Sequence, residues 1–167
     1  PRFRSVYGSA QATTLADKRI DLIVSAQAYH WFDTPEARAE FRRILKPGGK
    51  IALIWNERHL DSTPFLCDYE AMLREFGTDY AEIRHDNIGP ESLKLVFPGG
   101  YEIHTFSNSQ RFNHEGLEGR LLSSSYTPAP GRPGHEPMLA ELRRLFDTHQ
   151  QDGLVSIDYD ARVYLGS

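Results

Sequence analysis

Two short apolar runs dominate the first third of the chain, Ile20 to Ala26 (IDLIVSA) and Lys50 to Asn56 (KIALIWN). Both are rich in aliphatic and β-branched residues, the pattern of strands buried on two faces. Between them Ala37, Phe41, Ile44 and Leu45 recur at i, i+4, i+7 and i+8, which predicts a helix over about Pro35 to Leu45. Asp33 or Thr34 is placed to cap it, Pro35 suits its first turn, and Glu36 favours its positive end. Pro47-Gly48-Gly49 then stops the helix and reverses the chain. Strand, helix, tight turn and strand make a βαβ unit, with parallel strands and a right-handed crossover expected.

The flanking patterns are less regular. Arg2 to Tyr7 alternates as a short strand ended by Gly8, and Ser9 to Asp17 reads as a small-residue loop with one helical turn at Ala12 to Leu15. Pro64 to Phe76 carries an apolar stripe (Phe65, Leu66, Tyr69, Met72, Leu73, Phe76) and ends at Gly77. Residues 78 to 100 read as irregular. Tyr101 to Phe112 is a predicted strand with a break at Ser107-Asn108-Ser109, and Glu115 to Leu122 a short helix. A proline-rich loop over Ser123 to Pro137 leads to a helix at Met138 to Gln150. Leu154 to Leu165 alternates apolar and polar positions, as an antiparallel strand with one solvated face does. The 167 residues suit one domain.

Charge narrows the function classes. A net charge of −4 argues against a binder of nucleic-acid backbone. Arg38, Arg42, Arg43 and Lys46 then read as the solvated face and last turn of a helix. Cys67 is the only cysteine, so no intrachain disulfide forms and a reducing cytoplasm is the expected setting. Its apolar neighbours suggest a packed thiol. No apolar run approaches the roughly 20 residues that cross a bilayer, so no membrane partner is expected. The histidines show neither helical pairing nor a cysteine partner, and no metal site is read. An opening of PRFRSVYGSA, without Met, suggests an internal cut.

The candidate chemistry collects where the first apolar run ends. Ser25, Ala26 and Gln27 give way to Tyr29, His30 and Trp31. Ligands of open α/β sheets bind just beyond the carboxyl ends of strands, so this tip is the expected site. His30, with an ordinary pKa of about 6.5, suits a catalytic group that orients a substrate or accepts its proton. Trp31 and Phe32 are equally suited to packing the next helix onto the sheet. Asn56 and Arg58 end the second run toward the same rim. Arg58 fits a bidentate clamp on a carboxylate, or a surface ion pair with Glu57 or Asp61.

DLIVSAQAYHWFD, a helix holding Glu40 and Arg43, and RILKPGGKIALIWN together resemble the second half of a class I S-adenosylmethionine-dependent methyltransferase. The resemblance is specific from about Tyr7 to Arg58, and is nearest to the group similar to trans-aconitate methyltransferase. SSSY at Ser123 to Tyr126 and the closing YDARVYLG are similar to that group's tail. The resemblance implies an α/β fold: a Rossmann-like methyltransferase sheet, mostly parallel with an antiparallel C-terminal end. Arg2 to Tyr7 would be the family's third strand, Ile20 to Ala26 its fourth and Lys50 to Asn56 its fifth. The N-terminal cofactor-loop strands have no counterpart, so the chain is expected to be a single truncated domain over residues 1 to 167 with impaired cofactor binding. The unpaired edge of the fourth strand would then be covered by the third strand moving in, or by two chains completing each other's sheet as a homo-oligomer.

The same resemblance implies S-adenosyl-L-methionine as cofactor and a small-molecule substrate, possibly a carboxylate. Ser9, Ala10 and Gln11 would read the adenine, while Ser25, Ala26 and Gln27 would meet the methionine part. Tyr29 or Trp31 would face the sulfonium. Tyr126, on the proline-rich loop, is a candidate lid over the substrate. The competing expectation is a non-catalytic α/β binding or oligomerisation module that keeps the fold.

Overall fold

The computed structural model describes residues 3 to 80 and 89 to 167. Its elements in order are β1 (Ile20–Ala26), a 3₁₀ turn (Tyr29–Trp31), α1 (Pro35–Ile44), β2 (Leu45–Arg58), α2 (Pro64–Phe76), α3 (Pro90–Val96), β3 (Tyr101–Phe112), α4 (His114–Leu122), α5 (His135–His149) and β4 (Val155–Gly166). The four strands form one sheet in the order β1-β2-β4-β3. β1 and β2 are parallel, Ile23 facing Ile51 and Ala26 facing Ile54. The remaining pairings are antiparallel. Ser109 meets Asp158 near one end of the β3–β4 pair, and Gly99 meets Ser167 beyond the other. This is a mixed α/β sheet.

Caps and breaks fall where side-chain chemistry puts them. Thr34 accepts a hydrogen bond from the Ala37 amide at 3.2 Å and starts α1, and Thr63 does the same for α2 through Leu66 at 3.2 Å. Both helices carry proline in their first turn. The Leu45-to-Gly49 segment is absorbed into β2 as a bulge, with Ile20 opposite Leu45 but Leu22 opposite Lys50. Gly48 sits there at φ +79°, a conformation that glycine adopts without strain.

The chain divides into two compact units. In the first (residues 1–56, 85–106 and 161–167), Tyr29, Phe41, Ile51, Leu53, Trp55, Leu93, Val96 and Phe97 form the core. In the second (residues 57–84 and 107–160), α2, α4 and α5 bury Leu66, Met72, Leu73, Leu117, Met138, Leu142 and Leu145 with Ile157 of β4.

Several expectations are corrected. Residues 3 to 8 form no strand: Phe3 and Tyr7 are exposed and make no ladder, so no third strand moves in beside β1 (Arg2 lies outside the described residues). Ala12 to Leu15 makes no helical turn. β1 is not buried on two faces. Among the described residues it pairs only with β2, Ser25 is its only buried residue, and Leu22 and Val24 stand 49% and 55% exposed. The stretch read as irregular holds α3, while residues 81 to 88 of it lie outside the described residues. β3 runs through Ser107-Asn108-Ser109 unbroken, and the Ser109 hydroxyl donates to Asp158 of β4 at 2.7 Å. The last helix begins at His135 rather than Met138. Cys67 is exposed, on the polar side of α2.

Candidate functional site

The tip of β1 is built by one unusual residue. The Gln27 amide donates to the Ile54 carbonyl at 2.9 Å, carrying the parallel ladder one step past β1. The chain then turns sharply with Gln27 at φ +53°, in the left-handed region that non-glycine residues enter only at a cost. Its carboxamide stays exposed and reaches the Asn56 carbonyl at 3.4 Å, at the neighbouring strand's end. Two residues earlier, Ser25 is buried with a hydroxyl that has no hydrogen-bond partner among the described residues. A buried, unsatisfied hydroxyl next to an exposed strained residue is a place where a ligand would complete the hydrogen bonding.

The following turn sorts its rings by environment. Tyr29 is fully buried in the first core and donates to Asp33 Oδ1 at 2.6 Å, and Arg38 pairs with the same carboxylate. Burial first, and then the Asp33 hydrogen bond, push the phenol well above its usual range. The Tyr29 ring, expected to face the sulfonium or the substrate, is thus enclosed in the core with its hydroxyl engaged by Asp33. Trp31 is 73% exposed, so it does not pack α1 onto the sheet, and its ring lies 4.9 Å from that of His30. His30 is half-buried, and burial lowers its pKa. At neutral pH it is thus an uncharged imidazole, the form able to accept a proton.

The Ser9-to-Gln11 loop is held in the same unit by α1. The Ser9 and Ala12 backbones exchange hydrogen bonds of 3.2 and 3.1 Å, and Ala10 packs on the Tyr29–Phe41 core. Glu40 of α1 accepts from the Thr13 amide at 2.9 Å, from the Thr13 hydroxyl at 2.6 Å, and from Arg43 Nε and Nη2 at 2.7 Å each. Arg43 also donates to the Leu15 carbonyl at 2.8 Å and pairs with Asp17. Hydrogen bonds from Arg43, and then from Thr13, hold the Glu40 carboxyl down at about 2. This strap was not anticipated from sequence, because its partners lie 27 residues apart. Arg42 and Arg43 form the last turn of α1, and Arg42 and Lys46 stay exposed, but the face is also paired: Arg38 with Asp33, Arg43 with Glu40 and Asp17, and Lys46, just past the helix, with Asp21, while Arg42 donates to the Leu95 carbonyl.

Ser9, Ala10, Gln11, Ser25, Ala26, Gln27, His30, Trp31 and Asn56 thus share the first unit; Arg58 and Tyr126 belong to the second. There Arg58 is no open clamp. It forms a largely buried ion pair with Glu70, donates to the Tyr80 hydroxyl at 2.7 Å, and stacks over Tyr69 at 5.2 Å. Burial works to raise the Glu70 carboxyl, but hydrogen bonds from Tyr80 and Arg58 outweigh it and keep it below its ordinary value. The Arg58 charge is thus matched by Glu70, 12 residues on, where the sequence pointed to an open clamp or a surface pair with Glu57 or Asp61. Tyr126 packs edge-on against Tyr80, ring centres 4.9 Å apart, and its carbonyl accepts from the Thr78 amide at 2.9 Å.

Among the described residues, no cluster of three or more His, Cys, Asp or Glu stands close enough to hold a metal ion, and no helix is long and apolar enough to cross a membrane.

Comparison with known proteins places this geometry. Residues 2–53 match the methyltransferase domain family Methyltransf_11. A protein of Schizosaccharomyces pombe named as an uncharacterized methyltransferase is 49% identical over 149 residues, covering 84% of this chain and 55% of its own length. A second from that organism, named methyltransferase-like, is 42% identical over 72 residues, covering 43% and 28%. The chain thus spans about half the length of the first relative and about a quarter of the second. The solved structure of a putative type II methyltransferase from Anaeromyxobacter dehalogenans superposes with a TM-score of 0.63 at 19% identity, covering 95% of this chain and 69% of that one. The chain has the Rossmann-like fold of solved methyltransferases, and residues 2–53 match the methyltransferase domain model.

Proposed function

We propose that the protein is an S-adenosylmethionine-dependent methyltransferase acting on a small molecule in the cytoplasm. The observation that carries this reading is the tip of β1, where a left-handed, exposed Gln27 follows the orphaned Ser25 hydroxyl at the outgoing end of a parallel strand. S-adenosyl-L-methionine, when bound, supplies a methyl group already activated on a sulfonium. The residues present fit such a group. Ser25 offers an unspent hydroxyl, Gln27 an exposed carboxamide, and Ser9 to Gln11 a loop fixed by the Glu40 strap. Methyl transfer is an in-line displacement, so the protein's main task is alignment and exclusion of water. His30, held neutral by burial, takes the acceptor's proton where the acceptor carries one. Trp31 presents its exposed ring to a cation or to an apolar part of the substrate.

Calorimetric titration of the full-length protein with S-adenosylmethionine tests the reading. Binding at micromolar levels, weakened in Ser25→Ala and Gln27→Ala, supports it, and silence contradicts it. A second reading, an oligomerisation module, is favoured by the open side of β1 with Leu22 and Val24 exposed. Two chains pairing there would scatter light as a dimer and be split by Val24→Lys.

A further inference from the structure

The turn that carries His30 and Trp31 is too short to hold itself. Tyr29–Trp31 is a single 3₁₀ turn in which the Trp31 amide donates to the Ala28 carbonyl and the Phe32 amide to the Tyr29 carbonyl, at 3.0 Å each, and no side chain caps its start. Such turns have poor hydrogen-bond geometry and depend on their surroundings. Here the surroundings are a clamp. The Tyr29 ring is fully buried, edge-on to Phe32 at 5.6 Å and tilted against Phe41 at 6.4 Å. Its hydroxyl donates to Asp33 Oδ1 at 2.6 Å, and Arg38, from the first turn of α1, pairs with the same oxygen. Side chains 29 and 33 are thus joined directly, bracketing His30 and Trp31.

The helix does not require this arrangement for its cap. Thr34 already starts α1 through the Ala37 amide. The Arg38 and Asp33 side chains are only 11% and 17% exposed. A charge pair so buried often stabilises no more than apolar packing of the same volume, and its gain is a fixed geometry. The segment it fixes presents the exposed Trp31 indole, 4.9 Å from the His30 ring with the planes at 43°.

We propose that Asp33, acting through Tyr29 and Arg38, is a positioning residue that sets the His30 imidazole and the Trp31 indole together beyond the tip of β1 as a fixed platform for the methyl acceptor. Asp33 itself touches no ligand. What lies on the platform rests on the methyl-transfer reading, whereas the clamp is a property of residues 29 to 38 of the first unit.

Trp31 fluorescence reads the clamp with neither cofactor nor acceptor present. An imidazolium quenches an indole in contact with it far more than a neutral imidazole does. Emission of the full chain is followed as the pH is lowered from about 8 to about 5. Trp31→Phe supplies the background of Trp55, and His30→Gln should abolish the titration. Quenching with a midpoint below the ordinary histidine value is expected in the native protein. In Asp33→Ala and in Tyr29→Phe its amplitude should fall at least twofold and its midpoint move toward the ordinary value. Tyr29→Phe loses one hydroxyl and keeps the ring, so it carries the test if Asp33→Ala unfolds. Thr34→Ala weakens α1 without touching the clamp and should leave both quantities unchanged. A native titration in either folded clamp variant would overturn the proposal, as would an equal loss in Thr34→Ala or native emission that ignores His30. Calorimetric silence toward S-adenosylmethionine would instead remove the acceptor from the platform and leave the fluorescence result standing.

Discussion

Gln27 combines a left-handed backbone with an exposed carboxamide. A left-handed residue with a β-carbon costs about 1 kcal/mol, and here the strain aims an exposed carboxamide past the strand. Gln27→Gly is expected to raise stability by up to about 1 kcal/mol in urea unfolding while weakening S-adenosylmethionine binding. A matching loss of both stability and binding would mean that the residue serves folding alone. Arg58 and Glu70 give the opposite case, a charge pair that serves the interior. Glu70→Ala strands the buried guanidinium and should destabilise the protein by about 3–5 kcal/mol, and Arg58→Met combined with Glu70→Leu should cost much less. Chemical denaturation of the single and double variants checks this. Sequence made Arg58 a candidate clamp because it follows an apolar run. Its true partners, 12 and 22 residues on, carry no local signal. Ser25 and His30, by contrast, stand out by a local signal, the abrupt change from aliphatic to polar residues at the end of β1.

At the scale of elements, the βαβ unit was readable because its period changes from strand to helix and back, with turn residues marking each boundary. Thr34→Ala removes the α1 cap and should cost about 1 kcal/mol in the same unfolding experiment. The open edge of β1 was legible only through the resemblance, because an aliphatic run looks alike in a central and an edge strand. What covers a strand is decided by distant chain. The loop before β1 owes its position to Glu40, whose folded pKa of about 2 lies below its ordinary 4.5. A lowered carboxyl contributes stability that is fully present above pH 4.5 and lost as the pH falls through about 2. The thermal midpoint should therefore drop across that window, and Glu40→Gln should remove its share of the slope. An unchanged slope would mean that the Thr13 and Arg43 contacts do not persist in solution.

For the whole molecule, the parallel β1–β2 pair and the antiparallel strands that follow make the mixed sheet of Rossmann-like methyltransferases. The resemblance of QAYHWFD and LKPGG anticipated this architecture. It did not anticipate that residues 3 to 8 leave the sheet, because an alternating pattern makes a strand only when a neighbour supplies hydrogen bonds. The central claim is that Ser25 and Gln27 line a cofactor cleft beside His30. The most direct measurement is calorimetric titration of the full-length protein with S-adenosylmethionine, alongside Gln27→Ala. The account predicts saturable micromolar binding that falls at least tenfold in the variant; no heat, or equal affinity in both proteins, would contradict it.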